Sequence, residues 1–374
     1  MSSRDYIYIT ALVVLNIALF FVPTGFEKEL PKYIERAKVR VLSTDNSLVE
    51  TIGVIRTGTQ QLTVHVENGP FKGTETKALN RMMGKIELDK LFQEGDTAYV
   101  SLKIQDGNIR AAIAHDYHRI DVELLLFGLF FLVVVLVAGL TGLRAILTFI
   151  FTGLFLWRVL LPAFLRGWDP IPIALLATAI LSFVIIFAIA GFTKKGVVAF
   201  LGSIFGVLIT CGLSIIFAGL FHLHGAVRPF SEMLLFTGFP ALKLSDLFLA
   251  GIFIASSGAV MDIAMDISAS MNELVEQNVK MTIMARFKSG MAVGKAVIGT
   301  MTTTLLLAYT GGYTFMFMSF LAQGKTMVEI LNNQYVSAEL LHTLIGSFGL
   351  VLVAPLTAIS GAIIFKNKEN IRSR

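Results

Sequence analysis

Residues Val122 to Thr141 read VELLLFGLFFLVVVLVAGLT, with Glu123 as the one charge. A helix rises 1.5 Å per residue, so this stretch makes a rod about 30 Å long, the thickness of a bilayer's hydrocarbon core. Comparable apolar runs follow at 144–165, 171–192, 197–221, 246–267, 297–321 and 338–365. A shorter run, Tyr6 to Val22, precedes it and ends in Phe20-Phe21-Val22-Pro23 rather than in small residues. It therefore reads as an uncleaved anchor, not as a signal peptide. About eight spans result.

The composition agrees. Of 374 residues, 55% are hydrophobic and only 15% charged, where a soluble globular protein carries about 25% charged residues. A soluble enzyme, a disordered chain and a fibrous protein are all disfavoured. The net charge of +5 has no clustered basic face with interleaved aromatics, so nucleic acid is not an expected partner. The single cysteine, Cys211, sits in an apolar run and excludes an intrachain disulfide or a CxxC pair.

Upstream of the quoted run, from Gly25 to Arg119, charges are dense and long apolar runs vanish. Val39 to Leu42, Ile52 to Ile55, Leu62 to Val66 and Ala98 to Ile104 alternate as strands do. Thr44-Asp45-Asn46, Gly58, Asn68-Gly69-Pro70, Gly95-Asp96 and Asp106-Gly107-Asn108 are turn signals between them. Six or so short strands predict a small all-β, barrel-like (OB-like) domain. Lys77 to Met83 is less regular and reads as a loop or short helix.

The expected fold class is thus a polytopic α-helical membrane protein with this β domain inserted between the first and second spans. Its parts are an anchor (1–24), the β domain (25–119), a seven-span helical domain (120–366) and a tail (367–374). Lys and Arg set the orientation. With the N-terminus inside, the inner loops hold Arg144, Lys194, Lys195, Lys280, Arg286, Lys288 and Lys295, and the tail holds Lys366, Lys368, Arg372 and Arg374. The outer loops hold Arg166, Arg228, Lys243 and Lys325. Both termini are therefore expected in the cytoplasm and the β domain outside.

The sharpest polar feature lies in the run from Ser256 to Leu274. On a helix, Asp262, Asp266, Ser270 and Glu273 fall at i, i+4, i+8 and i+11, along one face. Carboxylates inside a span are costly and usually face a bundle interior or a water-filled cavity. An ion or proton relay is the functional reading; a helix leaving the membrane at Asp266 and Glu273 is the plain one. Ser257-Gly258 admits either close helix packing or an opened backbone that coordinates an ion. Arg158, beside Trp157, reads as a snorkelling interfacial residue or as partner to a carboxylate. Val275, Val279, Ile283, Met284 and Phe287 have helical spacing among basic residues, as in an interfacial helix. His222 and His224, with Glu232, fall short of a four-ligand zinc set. No Walker loop, HExxH or GxSxG is present. Neither a cofactor, a metal nor an enzymatic activity is expected.

The stretch Gly258 to Met265, with Ser268 to Leu274 behind it, resembles the signature of the YibE/F-like membrane proteins. Gly299 to Gly312 is similar to that family's next span. Asn68 to Gly73, Gly95-Asp96 and Asp116 to Arg119 are similar to its usual turns, so the resemblance runs from about Ala37 to about Phe365. Gly294-Lys295-Ala296 and Thr303-Thr304-Leu305 depart from the family's common Gly-Arg-Asp and Asn-Thr-Leu. The resemblance implies a multi-pass protein of the bacterial plasma or inner membrane and no particular activity.

Two functions fit these residues. One is a secondary transporter or permease, with Asp262, Asp266, Ser270, Ser257 and Arg158 as relay candidates. The other is a non-transporting envelope scaffold or sensor whose β domain binds a partner. An intramembrane enzyme is least supported, because two carboxylates on adjacent turns of one helix do not converge from separate segments as aspartyl catalysis requires. The partners open to such a chain are membrane lipid, a small solute or ion, an extracytoplasmic protein, and a second copy or second membrane subunit.

Overall fold

The computed structural model describes residues 3–27, 31, 33–278 and 280–365. The expected tail at 367–374 lies outside them, as do Val279, Lys366, Lys368, Arg372 and Arg374. The chain divides into two compact units. One is residues 26–134; the other combines 1–25 with 135–374.

The first unit holds a closed barrel of five strands in the order β1-β2-β3-β5-β4. They are β1 (Ile34–Ile52), β2 (Ile55–Val66), β3 (Glu75–Met83), β4 (Thr97–Gln105) and β5 (Asn108–Tyr117). The long β1 pairs antiparallel with both β2 and β4. It bends at irregularities between Val41 and Ser43 and between Asp45 and Leu48. Such bulges increase local twist, which a strand shared by two neighbours in a small barrel needs. Alternate residues point inward, and Val39, Val41, Leu62, Val64, Val100 and Leu102 form the core with Phe92.

Two sequence expectations change here. Lys77 to Met83 is neither loop nor helix but most of β3, with strictly alternating burial in its second half. Its inward positions include Asn80, a polar residue that breaks the hydrophobic pattern. Asn80 is buried because it donates to Gln60 Oε1 (3.0 Å) and to the Lys90 carbonyl (2.7 Å). Gln60 in turn accepts from the Phe92 amide and donates to the Phe92 carbonyl. Around Ile52 to Ile55 the two flanking isoleucines are paired strand residues and Gly53-Val54 forms the turn, with Gly53 at φ 62°. Thr44-Asp45-Asn46 and Gly58, read as turns, lie instead inside β1 and β2, where bulges and the hairpin pairing absorb them.

The second unit is helical. Six helices among the described residues are long and apolar enough to cross a membrane. The run Ile120–Leu165 comprises α2 (Ile120–Phe155), a wide π turn (Leu156–Leu160) and α3 (Leu161–Leu165). It starts in the barrel's unit and breaks at Gly139 (φ 56°, ψ −129°), where its two expected spans meet. The others are α4 (Pro170–Ala190), α5 (Lys194–Leu220), α7 (Leu244–Gln277), α8 (Ile283–Gly311) and α11 (Gln334–Ile364). The N-terminal α1 (Ser3–Phe20) has a shorter apolar part, Tyr6–Phe20. Short helices α6 (Ser231–Phe236), α9 (Thr314–Ala322) and α10 (Met327–Leu331) fill the connections.

Helices α5, α7 and α11 pack around Phe253, Val260, Ile263, Leu350 and Val353. Apolar burial gives little drive between helices in lipid, so close approach through small residues matters. Gly202 meets Thr357, and Gly349 meets Thr210, so tightly that an added Cβ would collide with either threonine.

The expected interfacial helix is not one element. Val275 ends α7, whereas Ile283, Met284 and Phe287 open α8, which starts well before the span expected at 297–321. The reason is packing: Gly290 and Gly294 let α8 press against Met271 and Ile267 of α7 and Ala358 and Ala354 of α11. Arg286, read as a surface cation, is buried there and donates to the Phe365 carbonyl.

Candidate functional site

The residues singled out in the sequence do not form one cluster. Asp262 and Asp266 lie on an exposed stripe of α7 that also carries Gly251, Ala255 and Gly258. Ser257 turns inward and donates to the Ile254 carbonyl at 2.7 Å, while Ser270 is half-buried. Ser268, one turn beyond Ala264, is buried and donates to the Lys195 carbonyl at 2.7 Å, tying α7 to the start of α5. Arg158 occupies the π turn, its guanidinium 5.9 Å from the Phe20 ring. His224, of the weak metal pair, bonds to Gln334 at 3.0 Å.

A buried charged cluster forms elsewhere, from residues that sequence reasoning left aside. In the sequence Arg228 reads only as an outer-loop cation, and Glu339 and His342 stand inside an apolar run. The segment carrying Arg228 connects α5 to α7. Gly225 (φ 80°) lets this segment cross the backbone of Leu244 and Ser245, where a Cβ would clash at 2.3 Å. Val227 anchors it in the bundle. Phe230 follows in a left-handed conformation (φ 63°), strained for a bulky side chain. The turn is held by the Ser231 amide on the Arg228 carbonyl at 3.2 Å.

Arg228 then reaches α11. Its Nη1 donates to Glu339 Oε2 at 3.1 Å and its Nη2 meets His342 Nδ1 at 2.8 Å. Glu339 and His342 are one turn apart, so both face the guanidinium. The guanidinium lies between two rings, 5.6 Å from Phe248 of α7 and 5.4 Å from Tyr313. The His342 ring packs at a tilt on Tyr309 of α8, with centroids 4.2 Å apart. One arginine thus touches α7 and α11, and through His342 the cluster reaches α8, at one end of the bundle.

Glu339 is 3% exposed and His342 8%. An ion pair at that depth is retained only with good geometry, because each ion loses its hydration. Guanidinium only donates, so Nδ1 accepts, and the imidazole is the neutral tautomer with its proton on Nε2. That Nε2–H and the other carboxylate oxygen, Glu339 Oε1, are buried without a hydrogen-bond partner. Beside the cluster opens a cavity of about 600 Å³, lined by Arg228, Phe230, Glu232, Tyr313, Met316 and Tyr335 among others. Its size is in the range of small-molecule sites.

Apolar helices of spanning length, packed through small residues and joined to a β barrel, define a helical membrane protein. The chain belongs to the YibE/F-like family, whose model matches residues 126–367. The matched range covers most of the helical part and leaves the barrel outside it. Comparison with curated proteins and with solved structures finds no match.

Proposed function

We propose that this chain is a secondary transporter or permease of the bacterial plasma membrane. The run from Ile120 to Leu165 then crosses twice, turning near Gly139, because 46 residues of helix would extend roughly 69 Å, over twice the hydrocarbon core. With α1 as anchor the chain makes about eight crossings, both termini lie in the cytoplasm, and the OB-like barrel stands outside. It is not an enzyme, and its surroundings are lipid and a second copy or subunit.

The observation that carries this reading is the Arg228–Glu339–His342 cluster. A buried ion pair is costly structure, and the arginine of this one lines a cavity at one end of the helical bundle, between the α5–α7 connection, the α8–α9 junction and the start of α11. Buried charges in helical membrane proteins commonly mark solute or ion pathways. Asp262 supplies the intramembrane carboxylate of a proton or ion relay. The test is efflux from proteoliposomes loaded with a mixture of cytosolic small metabolites, followed by mass spectrometry. At least one solute is expected to leave faster than from protein-free liposomes, and Asp262→Asn to slow it. If no solute leaves faster, the transport reading fails.

The rival is an envelope scaffold or sensor acting through the barrel. Its support is the end of the β1–β2 hairpin, where Ile52 and Val54 are 72% and 80% exposed beside Leu48 and Ile55. An apolar tip of this kind favours a protein partner. Under this reading, removing residues 37–115 abolishes function while the membrane part still folds.

A further inference from the structure

The cavity beside Arg228 has a specific charge pattern. A guanidinium carries five N–H donors. One meets Glu339 and one meets His342, and the Arg228 side chain keeps 31% of its surface exposed. An open edge is therefore left for a ligand. On the same cavity wall, Glu232 is exposed, with no ion-pair partner among the described residues. Phe230, Tyr313 and Tyr335 line the same cavity, with the thioethers of Met233 and Met316.

These charges discriminate among ligands. The positive charge of Arg228 is already balanced by Glu339, so a simple anion would add a third negative charge beside Glu339 and Glu232. A simple cation would meet the guanidinium. A molecule carrying both charges matches Arg228 with one end and Glu232 with the other and adds no net charge to the site. Aromatic and thioether walls suit an apolar side chain between its two ends. The strained backbone at Phe230, on the cavity rim, is the kind of outlier that gathers at ligand sites.

We propose that this cavity binds a small zwitterion, an amino acid or short peptide. The carboxylate takes the open edge of Arg228, the ammonium takes Glu232, and the side chain lies against Tyr313 and Met316. Its use in transport rests on the transporter reading; the binding does not.

The test uses the purified full-length protein in lipid nanodiscs and measures binding calorimetrically. The probes are a panel of amino acids and dipeptides; for each binder, the deaminated acid and the amide are also tested. Binding by a zwitterion, weakened at least about tenfold (about 1.4 kcal/mol) when either end is removed, is the expected result. Glu232→Gln, a substitution at an exposed position, is expected to weaken the zwitterion about tenfold and to leave the deaminated acid unchanged. Arg228→Lys should lose the carboxylate preference, and its thermal unfolding shows whether it has folded. If no probe binds, or the deaminated acid binds as well as the parent, the proposal is overturned. Binding without flux in proteoliposomes would sink the transport reading alone. Flux untouched by Glu232→Gln would sink this site alone.

Discussion

Arg228 and Glu339 lie 111 positions apart in the chain and form an ion pair at 3.1 Å. The pair joins the loop after α5 to the first turns of α11. Removing one partner leaves the other charged and buried, which costs about 3–5 kcal/mol, whereas removing both can be nearly neutral. Arg228→Met and Glu339→Leu are each expected to lower the thermal unfolding temperature in detergent. The double variant should be more stable than either. A double variant whose loss equals the sum of the two would mean that the residues act independently.

Two glycines of α5 make a matched pair. A Cβ on Gly202 would lie 2.1 Å from Thr357 Oγ1, whereas one on Gly212 meets nothing within 4 Å. Gly202→Ala is expected to destabilise by about 1–3 kcal/mol through overpacking, and Gly212→Ala to be neutral. Unfolding of the two variants in mixed micelles checks the difference; equal stabilities would contradict the close α5–α11 approach.

In the barrel, Gln60→Leu orphans the Phe92 amide and one of the two Asn80 Nδ2 hydrogens, both bonded to Gln60 Oε1, while the Lys90 carbonyl keeps the other. Each buried group so orphaned costs about 1–3 kcal/mol. Hydrogen exchange of the full-length protein should accelerate in β2, β3 and at Phe92. The helical peptides, in the other unit, serve as the unchanged reference.

Acid should loosen the same barrel. A hydrogen bond from Arg40 holds the Glu67 carboxyl below its ordinary value, and the Met83 amide does the same for Asp89. Desolvation, helped by Arg36 and Lys90, holds His115 below its ordinary 6.5. All three bind fewer protons folded than unfolded. Their contribution is therefore present above the ordinary values and is lost as pH falls through the lowered ones. Exchange in β5, which carries His115, and in the neighbouring β4 should begin to rise below pH 6.5 and rise again in the carboxylate range. His115→Gln should remove the first step and keep the second.

Asp262 is exposed on the chain surface and Glu339 is buried in an ion pair. A lipid-soluble carbodiimide is therefore expected to modify Asp262 well before Glu339 in native membranes, as read by peptide mass spectrometry. The reverse order would contradict the assigned burial.

Much of this architecture is legible in the sequence because hydrophobicity writes it there. Uninterrupted apolar runs such as 122–141 announce spanning helices, and alternation such as Val39 to Leu42 announces strands. What escapes is polar structure turned inward. Asn80 hides β3 because its partner, Gln60, lies on another strand. Arg286 reads as a surface cation because its acceptor, the Phe365 carbonyl, belongs to the last helix. The Arg228 cluster escapes for the same reason: Arg228 lies more than a hundred residues from Glu339 and His342, and no local period relates it to them. Asp262 drew attention through its apolar neighbours, yet its neighbours along the chain do not say which way its helix face turns.

The ring of five strands closes where β3 meets β5, through only two residue pairs, Ala78 with Ala112 and Leu79 with Ile113. While that latch holds, β3 and β5 offer no bare margin along it on which another chain could template itself. One short parallel seam thus guards this side of the barrel, and loosening it would expose two sticky margins at once.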